Sequence, residues 1–173
     1  MLWLLLSASA VLADEQNDRR VLMGLKLFPA LVAADQDLEQ KRTEEGQLPI
    51  VLLYREDAVA ASNAARRLAT QRIKNLPLQI TTLPYARLAA LNSKPPAALF
   101  LVEWSPDELA KVVRFGIAHQ RIVFSPFKGD VSAGASAGIF ISDRMLPLLN
   151  LKTLDAAGIR LHPFLLDVAK THE

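Results

Sequence analysis

The sequence predicts a single-domain α/β protein with a mostly parallel sheet of about five to six strands and helices on both faces. Short, continuous apolar runs of strand length alternate with helical segments, which is typical of parallel strands that are buried on both faces. No repeat, low-complexity stretch or linker divides the 173 residues, so their length fits one domain.

An uncharged, mostly apolar segment opens the chain, because the first charged side chain is Asp14. Residues 2–6 form an apolar run, small residues follow, and Ala13 fits the last position of a cleavage site. We therefore expect residues 1–13 to be a secretory signal peptide, truncated relative to the usual length. The alternative is a cytoplasmic protein with an apolar first helix. The segment is shorter than the roughly 20 apolar residues that cross a bilayer, so we expect no membrane insertion of the mature chain, residues 14–173.

The elements of the N-terminal half follow from periodicity, caps and breakers. A helix is expected over 19–32, where Pro29 kinks or ends it, and the charged stretch 35–47 is expected to be an exposed loop. The next predicted elements are a strand at 48–54, a helix capped by Asp57 that extends to Ile73, a strand at 78–83, a short helix at 85–91 and a strand at 97–102.

The C-terminal half opens with a capping box, Ser105-Pro106-Asp107-Glu108, which predicts a helix to about Ala118. Further predicted elements are a strand at 121–124, a Gly- and Ser-containing loop at 125–136, a strand at 138–142, a helix at 151–157 between Asn150 as N-cap and Gly158 as C-terminal stop, and a last helix from Pro163 to Lys170.

Composition excludes several kinds of chemistry. The chain has no cysteine, so it forms no disulfide and uses no thiolate for catalysis or metal binding. The histidines, His119, His162 and His172, share no helix face and have no acidic residue at metal-ligand spacing, so no metal site is expected. No cofactor motif is present.

Charge gives no indication of nucleic-acid binding. The formal net charge is +2, and aromatic residues for base stacking are sparse. Four basic residues cluster on one predicted helix: Arg66, Arg67, Arg72 and Lys74. Such a run is typical of a solvated helix face.

A hydrolase-like motif, G-x-S-x-G, occurs at residues 134–138 and is centred on Ser136. A nucleophile elbow requires a strand directly before the serine and a helix directly after it. Here a polar loop precedes Ser136 and a predicted strand follows, which favours a flexible loop. Serine hydrolysis is kept as a third hypothesis.

The loop after the strand at 121–124 is the best candidate for a binding surface. In parallel α/β sheets, ligands and partners contact loops at the carboxyl ends of strands. This loop combines an aromatic residue, a cation and an anion, and an ordinary solvent loop is the alternative. The candidate partner-binding residues are Ser125, Phe127, Lys128, Gly129, Asp130, Gly134 and Arg144. Trp104 and Phe127 are either pocket aromatics or, as composition favours, core residues.

The C-terminal half also carries a recognisable series of element ends. Asn150-Leu151 stands at a helix start, Ala157-Gly158-Ile159 at a helix end, and Leu165-Leu166 in the last helix. Together with the Gly-containing loop and the apolar strand before them, these features make residues 122–170 resemble the YfiR-like family of small exported bacterial regulators. The chain departs from that family's pattern in lacking cysteine and in having Arg144-Met145 where Gly-Arg often follows the late strand.

The resemblance implies that residues 14–173 form a YfiR-like domain: a periplasmic protein without enzymatic activity or cofactor. It implies binding to the sensor domain of an inner-membrane signalling protein, either a diguanylate cyclase of cyclic-di-GMP signalling or a histidine kinase. Homodimerisation is a further implication. The second hypothesis is a single-lobed periplasmic solute-binding protein.

Overall fold

A computed structural model describes residues 3–172, with side chains described from Glu15 onward. Residues 1 and 2 of the predicted signal peptide lie outside the described residues, as do the side chains of its remainder. The backbone is one helix, α1, from Trp3 to Ala33, and the predicted cleavage point after Ala13 falls within it. Among the described residues, no helix is both long and apolar enough to cross a membrane.

Eleven further helices and strands follow α1 in the described chain. They are β1 (Leu48–Tyr54), α2 (Ala58–Ala69), β2 (Leu78–Pro84), β3 (Ala98–Leu101), α3 (Pro106–His119), β4 (Ile122–Ser125), β5 (Ala137–Ile141), β6 (Met145–Asn150), α4 (Leu151–Ala156), α5 (Pro163–Val168) and β7 (Lys170–His172). Short 3-10 helices lie at Leu38–Lys41 and Tyr85–Leu91.

The seven strands form one sheet in the order β2-β1-β3-β4-β5-β6-β7. Every neighbouring pair is parallel except β5 with β6. The predicted class, a mostly parallel α/β sheet, is confirmed. The predicted number of strands was too low because β6 contains Pro147 and β7 is three residues long, so neither carries a strong strand pattern.

Helices cover both faces of the sheet, as predicted. A Cβ added to Gly24 of α1 would lie 3.0 Å from a ring atom of Phe124, whereas one added to Gly116 of α3 would lie 2.5 Å from a methyl of Val123. Successive residues of a strand point to opposite faces, so α1 and α3 pack on opposite sides of β4. The helix α2 lies beside α1, and α4 beside α3.

Three fully buried aromatic rings join α1 to the centre of the sheet. Phe28 meets Phe100 and Phe124 edge-on, at ring-centroid distances of 5.3 and 5.5 Å. Phe100 and Phe124 stack on each other across β3 and β4 at 5.2 Å. Edge-to-face and offset contacts of this kind stabilise beyond the area that they bury.

The predicted helix at 19–32 lies within α1, whereas the exposed loop predicted after it is wrong. Of the two effects predicted for Pro29, a kink or an end, the end does not occur, because Phe28, Leu31 and Val32 are fully buried and their packing holds the last turn in place. Residues 35–47 are not simply an exposed loop, because Leu38 is buried and Asp35 forms a buried ion pair with Lys41.

That ion pair has an Nζ to Oδ2 distance of 2.5 Å, and Lys41 also donates to the carbonyl of Gln120 at 2.8 Å. Gln120 is the left-handed residue that ends α3. The segment 35–47 therefore connects the ends of α1 and α3. Its many charged residues predicted an exposed loop, so the burial of Asp35 and Lys41 was not expected.

The caps were predicted with mixed success. Asp57 accepts from the Ala60 N–H at 2.8 Å, and Asn150 accepts from the Thr153 N–H at 2.9 Å, both as predicted. Ser105 occupies the N-cap position of α3, but its side chain makes no capping hydrogen bond. The helix α2 ends at Ala69, before the predicted Ile73, and α5 gives way to β7 instead of continuing to Lys170.

Candidate functional site

The strand order places a topological switch point between β1 and β3. The chain passes from β1 to β2 on one side and later returns to β3 on the other side of β1. In open parallel sheets, the crevice outside the carboxyl ends of two such strands is the usual binding position. We call the carboxyl ends of β1, β3 and β4, with the residues that follow them, the carboxyl edge.

The crevice between β1 and β3 contains a carboxylate of the chain itself. Glu103 Oε2 accepts from the backbone N–H groups of Arg55, Glu56 and Asp57, at 2.8, 2.8 and 3.0 Å. These amides precede α2, where backbone donors favour an anion. The Glu103 carbonyl in turn accepts from the Tyr85 hydroxyl at 2.8 Å. The amides best placed to bind an external anion thus already bind Glu103.

A second polar cluster lies beside it, at the end of β4. The Ser125 hydroxyl donates to Asp130 Oδ2 at 2.6 Å and accepts from the Phe127 N–H at 3.3 Å. The Trp104 indole also interacts with the Asp130 carboxylate and lowers the pKa of that group. Asp130 therefore joins the residues after β3 to the chain segment that follows β4.

Arg20 connects α1 to this cluster. Its Nε donates to the Pro126 carbonyl at 2.5 Å, and its Nη2 donates to the Ile139 carbonyl at 3.3 Å. The side chain is half-buried, which lowers the pKa of the guanidinium, while the charge of Asp130 raises it. An arginine stays charged at physiological pH, so Arg20 places a fixed cation at the carboxyl edge.

Burial also dominates the titration of the other groups at this edge. It raises the pKa of Asp130, although the hydrogen bond from Ser125, the interaction with Trp104 and the charge of Arg20 lower it. Burial raises the pKa of Tyr85 as well, and the charges of Asp130 and Glu103 add to that effect. Tyr85 therefore remains a neutral hydrogen-bond donor.

Trp104 is the most accessible aromatic group of the carboxyl edge. Trp104 is 50% exposed, and its indole interacts with the Asp130 carboxylate. The edge therefore presents an indole ring and a partly exposed guanidinium above a bonded polar network. The buried polar groups already have partners, so the indole ring and the guanidinium are the groups left to contact a ligand. These two groups are suited to binding a protein surface or an aromatic ring.

The structure separates the predicted binding residues into two groups. Ser125, Phe127 and Asp130 are buried, so they support the edge and have little surface to offer a partner. Lys128 and Gly129 are exposed just beyond them. Gly134 lies against Val113 of α3, on a face of the sheet, and Arg144 is exposed in the turn between β5 and β6.

Sequence reasoning missed Arg20, Tyr85 and Glu103, and it favoured a core position for Trp104. Of the two aromatics that it weighed, Phe127 is in the core and Trp104 is not. The position of Trp104, soon after a buried parallel strand and directly before a helix cap, was the available signal. Nothing local indicated Arg20, which lies 106 residues from Pro126.

Ser136 does not have the geometry of a nucleophile elbow. It lies directly before β5, is 1% exposed, and its hydroxyl accepts from the Val123 N–H at 3.2 Å. The side chains described, those of residues 15–172, include no group of three suited to hold a metal ion. His119 packs on Phe115 at 4.4 Å between ring centroids and contacts the Asn92 amide oxygen.

The fold and the position of this edge define the chain as an open, mostly parallel α/β domain with a switch point between β1 and β3. No protein-family model and no curated protein matches the sequence. Solved structures do share its fold. One is the ABC domain from Streptococcus pneumonia in complex with L-Trp, with a TM-score of 0.56, 12% identity and coverage of 82% of this chain and 61% of that one.

Two other structures are similar to the same extent. A substrate-binding protein with adhesive properties from Clostridium difficile, in its ligand-free open form, has a TM-score of 0.58 and 14% identity over 87% of this chain and 58% of its own. A conserved domain protein from Vibrio cholerae has a TM-score of 0.52 and 15% identity over 78% and 57%. The chain spans about three fifths of these proteins, and identities this low show the fold alone.

Proposed function

We propose that the chain is a periplasmic, non-enzymatic regulator that binds the sensor domain of an inner-membrane diguanylate cyclase or histidine kinase. The carboxyl edge is the proposed contact surface. The observation that carries the proposal is Trp104, which is half exposed at the carboxyl edge and interacts with Asp130, as does the half-buried Arg20.

Tryptophan and arginine are enriched among the few residues that dominate protein interfaces. A tryptophan side chain has only two rotatable bonds, so it loses little conformational freedom on binding, which favours affinity. The exposed Lys128 extends the same surface and adds a second cation. An interface centred on Trp104 and Arg20 would therefore have an apolar centre with polar surroundings.

The nature of the partner follows from the resemblance of residues 122–170 to the YfiR-like family. A regulator that binds one state of a sensor more tightly than the other shifts the sensor toward that state, by no more than its differential affinity. Homodimerisation belongs to the same proposal. No cofactor is needed for such a role.

The test is a pull-down from detergent-solubilised inner membranes of the native host, with the chain as bait and mass spectrometry as readout. We expect enrichment of a membrane protein with a periplasmic sensor domain and a cytoplasmic cyclase or kinase domain. Trp104→Ala should lower its recovery by about tenfold or more, as expected for a central interface tryptophan.

The matched control is Phe164→Ala, another exposed aromatic residue, which lies at the start of α5 near the opposite end of the sheet. It should leave recovery unchanged. Recovery without any signalling protein, or equal loss with both variants, would contradict the proposal.

A second candidate is a single-lobed solute-binding protein. It is favoured by the fold similarity to substrate-binding proteins and by the switch point beside Trp104. Because one similar structure holds L-Trp, an aromatic amino acid is the first ligand to test.

A thermal-shift screen of amino acids distinguishes the two candidates. A solute-binding lobe should gain several degrees in Tm with one class of ligand, since binding to the native state alone raises stability. Trp104→Ala should abolish the gain. A flat response across the screen would remove this candidate and leave the regulator proposal untouched.

A further inference from the structure

A groove of about 860 Å³ runs between α1 and α2, on the face of the sheet that these helices cover. Leu25 lies in its floor and is buried, whereas Leu22 also lines it and is 41% exposed. An exposed leucine in a concave surface is an apolar contact that water covers in the free protein.

The rim of this groove is cationic. Lys26 comes from α1, and Arg66 and Arg67 come from α2; all three are exposed, and no carboxylate lines this cavity. The formal net charge of the whole chain is only +2, so three cations here are a local excess. Arg66 is directed by a hydrogen bond from its guanidinium to the Asn63 side-chain oxygen. The solvated helix face predicted for Arg66 and Arg67 is confirmed, since both are exposed on α2, and the structure adds that they lie beside an apolar floor.

The groove continues toward the carboxyl edge. A smaller cavity of about 190 Å³ shares Leu22, Leu25 and Arg67 with it and is also lined by Val102, directly after β3. Trp104 is two residues further along the chain. Asp18 lines this smaller cavity together with Arg67, whereas Lys26 and Arg66 line only the larger one, so the net positive charge is greatest away from the edge.

The dimensions fit a short helix. The lining residues span 18–26 of α1 and 60–69 of α2, which correspond to about 12 and 14 Å at 1.5 Å per residue, and Thr70 and Gln71 extend the second wall beyond α2. A guest helix of two to three turns has that length. Peptide helices commonly bind between two helices through apolar residues at positions i, i+3, i+4 and i+7.

We propose that the α1–α2 groove binds an acidic amphipathic helix of the partner protein. Apolar side chains of that helix would cover Leu22 and Leu25, and its carboxylates would pair with Lys26, Arg66 and Arg67. This deepens the proposed function, on which it rests for the partner being a protein. The three cations favour an acidic partner. The apolar floor favours a helix with apolar side chains over a free anion, which has no apolar group to cover Leu22 and Leu25. A nucleic acid would require stacking aromatics, and none lines the groove.

The probe is a synthetic peptide of about 14 residues with leucines at helical spacing and glutamates between them, labelled for fluorescence anisotropy. We expect saturable binding that weakens as salt rises from about 0.05 to 0.5 M. A peptide with lysine in place of each glutamate should not bind.

The test variant is Arg66→Glu/Arg67→Glu, which should weaken peptide binding by about tenfold or more. The matched control, Arg87→Glu/Lys152→Glu, makes the same change in net charge at exposed residues outside the groove and should stay within about twofold of wild type. Circular dichroism would check that both variants are folded.

Equal binding of the acidic and basic peptides, equal loss in both variants, or full displacement by inorganic phosphate would each overturn the groove proposal. The amount of sensor protein recovered in the pull-down is a second measurement. If Arg66→Glu/Arg67→Glu still captures the sensor as wild type does, the groove proposal fails and the regulator proposal stands. If the peptide binds as expected but no sensor is recovered, the regulator proposal fails and the groove remains a helix-binding site.

Discussion

Asp130 shows at the scale of one residue how the carboxyl edge is held together. Its carboxylate accepts a hydrogen bond from Ser125 and interacts with Trp104, yet it is only 5% exposed, and burial is the largest influence on its pKa. Burial disfavours the charged form, so the pKa of Asp130 lies above its ordinary value.

This shift predicts a stability that falls with pH. Below the ordinary carboxyl pKa, near 4, Asp130 is protonated in both the native and the unfolded chain and contributes nothing. Between that value and the raised native pKa, the native state holds more protons, so the free energy of unfolding falls as pH rises. Asp130→Asn should remove this fall, and urea unfolding of both proteins from pH 4 to pH 8 measures it.

Ser125→Ala should make the fall steeper or wider, because it deletes a hydrogen bond that favours the ionised form. If the unfolding free energies of wild type and Asp130→Asn changed in parallel over the whole range, the raised pKa would be wrong.

The buried pair of Asp35 and Lys41 predicts a large effect from a single substitution. Removal of one partner leaves the other charge buried and unpaired, so Lys41→Met should lower the free energy of unfolding by about 3–5 kcal/mol. The double variant Asp35→Leu/Lys41→Met should recover part of that loss, as measured by urea denaturation. If Lys41→Met and Asp35→Leu/Lys41→Met had equal unfolding free energies, the unpaired Asp35 would not be the cause of the loss.

At the scale of elements, close approach of α3 to β4 depends on Gly116. A Cβ at this position would lie 2.5 Å from a Val123 methyl and 2.9 Å from the Arg121 carbonyl oxygen. Gly116→Ala gains about 1 kcal/mol in helix propensity but must displace backbone. We expect a net loss of about 1–3 kcal/mol in unfolding free energy, as overpacked sites show.

The control for this variant is Ala110→Ser, at an exposed position of the same helix, which should change stability by less than about 0.5 kcal/mol. A more stable Gly116→Ala protein would mean that α3 moves away from the sheet at little cost.

At the scale of the whole molecule, α1 is held on the sheet by Phe28, which meets rings from both central strands. Phe28→Ala should lower the free energy of unfolding by about 3–5 kcal/mol, because it leaves a cavity between helix and sheet. Since α1 also supplies Arg20 to the carboxyl edge and one wall of the groove, both proposed binding activities should weaken with it.

Phe28→Leu separates packing from aromatic contact and should lose less stability than Phe28→Ala. Thermal unfolding of the three proteins measures the series. Loss of stability without any effect on peptide or sensor binding would show that α1 does not organise these surfaces.

The sequence by itself determined the α/β class, the buried strands β1, β3 and β4, and the caps at Asp57 and Asn150. Each of these features depends on a few consecutive residues. A continuous run of apolar residues predicts a buried strand, and one polar side chain predicts a helix cap. Even the capping box at Ser105 located the start of α3 correctly, although its hydroxyl does not make the predicted bond.

Only the tertiary structure decided which of these residues meet. Arg20, Trp104 and Asp130 come from three separate segments, and Asp35 and Lys41 are buried only because α1 and α3 end beside them. The resemblance drawn from residues 122–170 named a function, but the accessible groups of the proposed surfaces lie largely outside that stretch. Burial and pairing across such separations depend on how the helices pack on the sheet, and no local pattern carries that information.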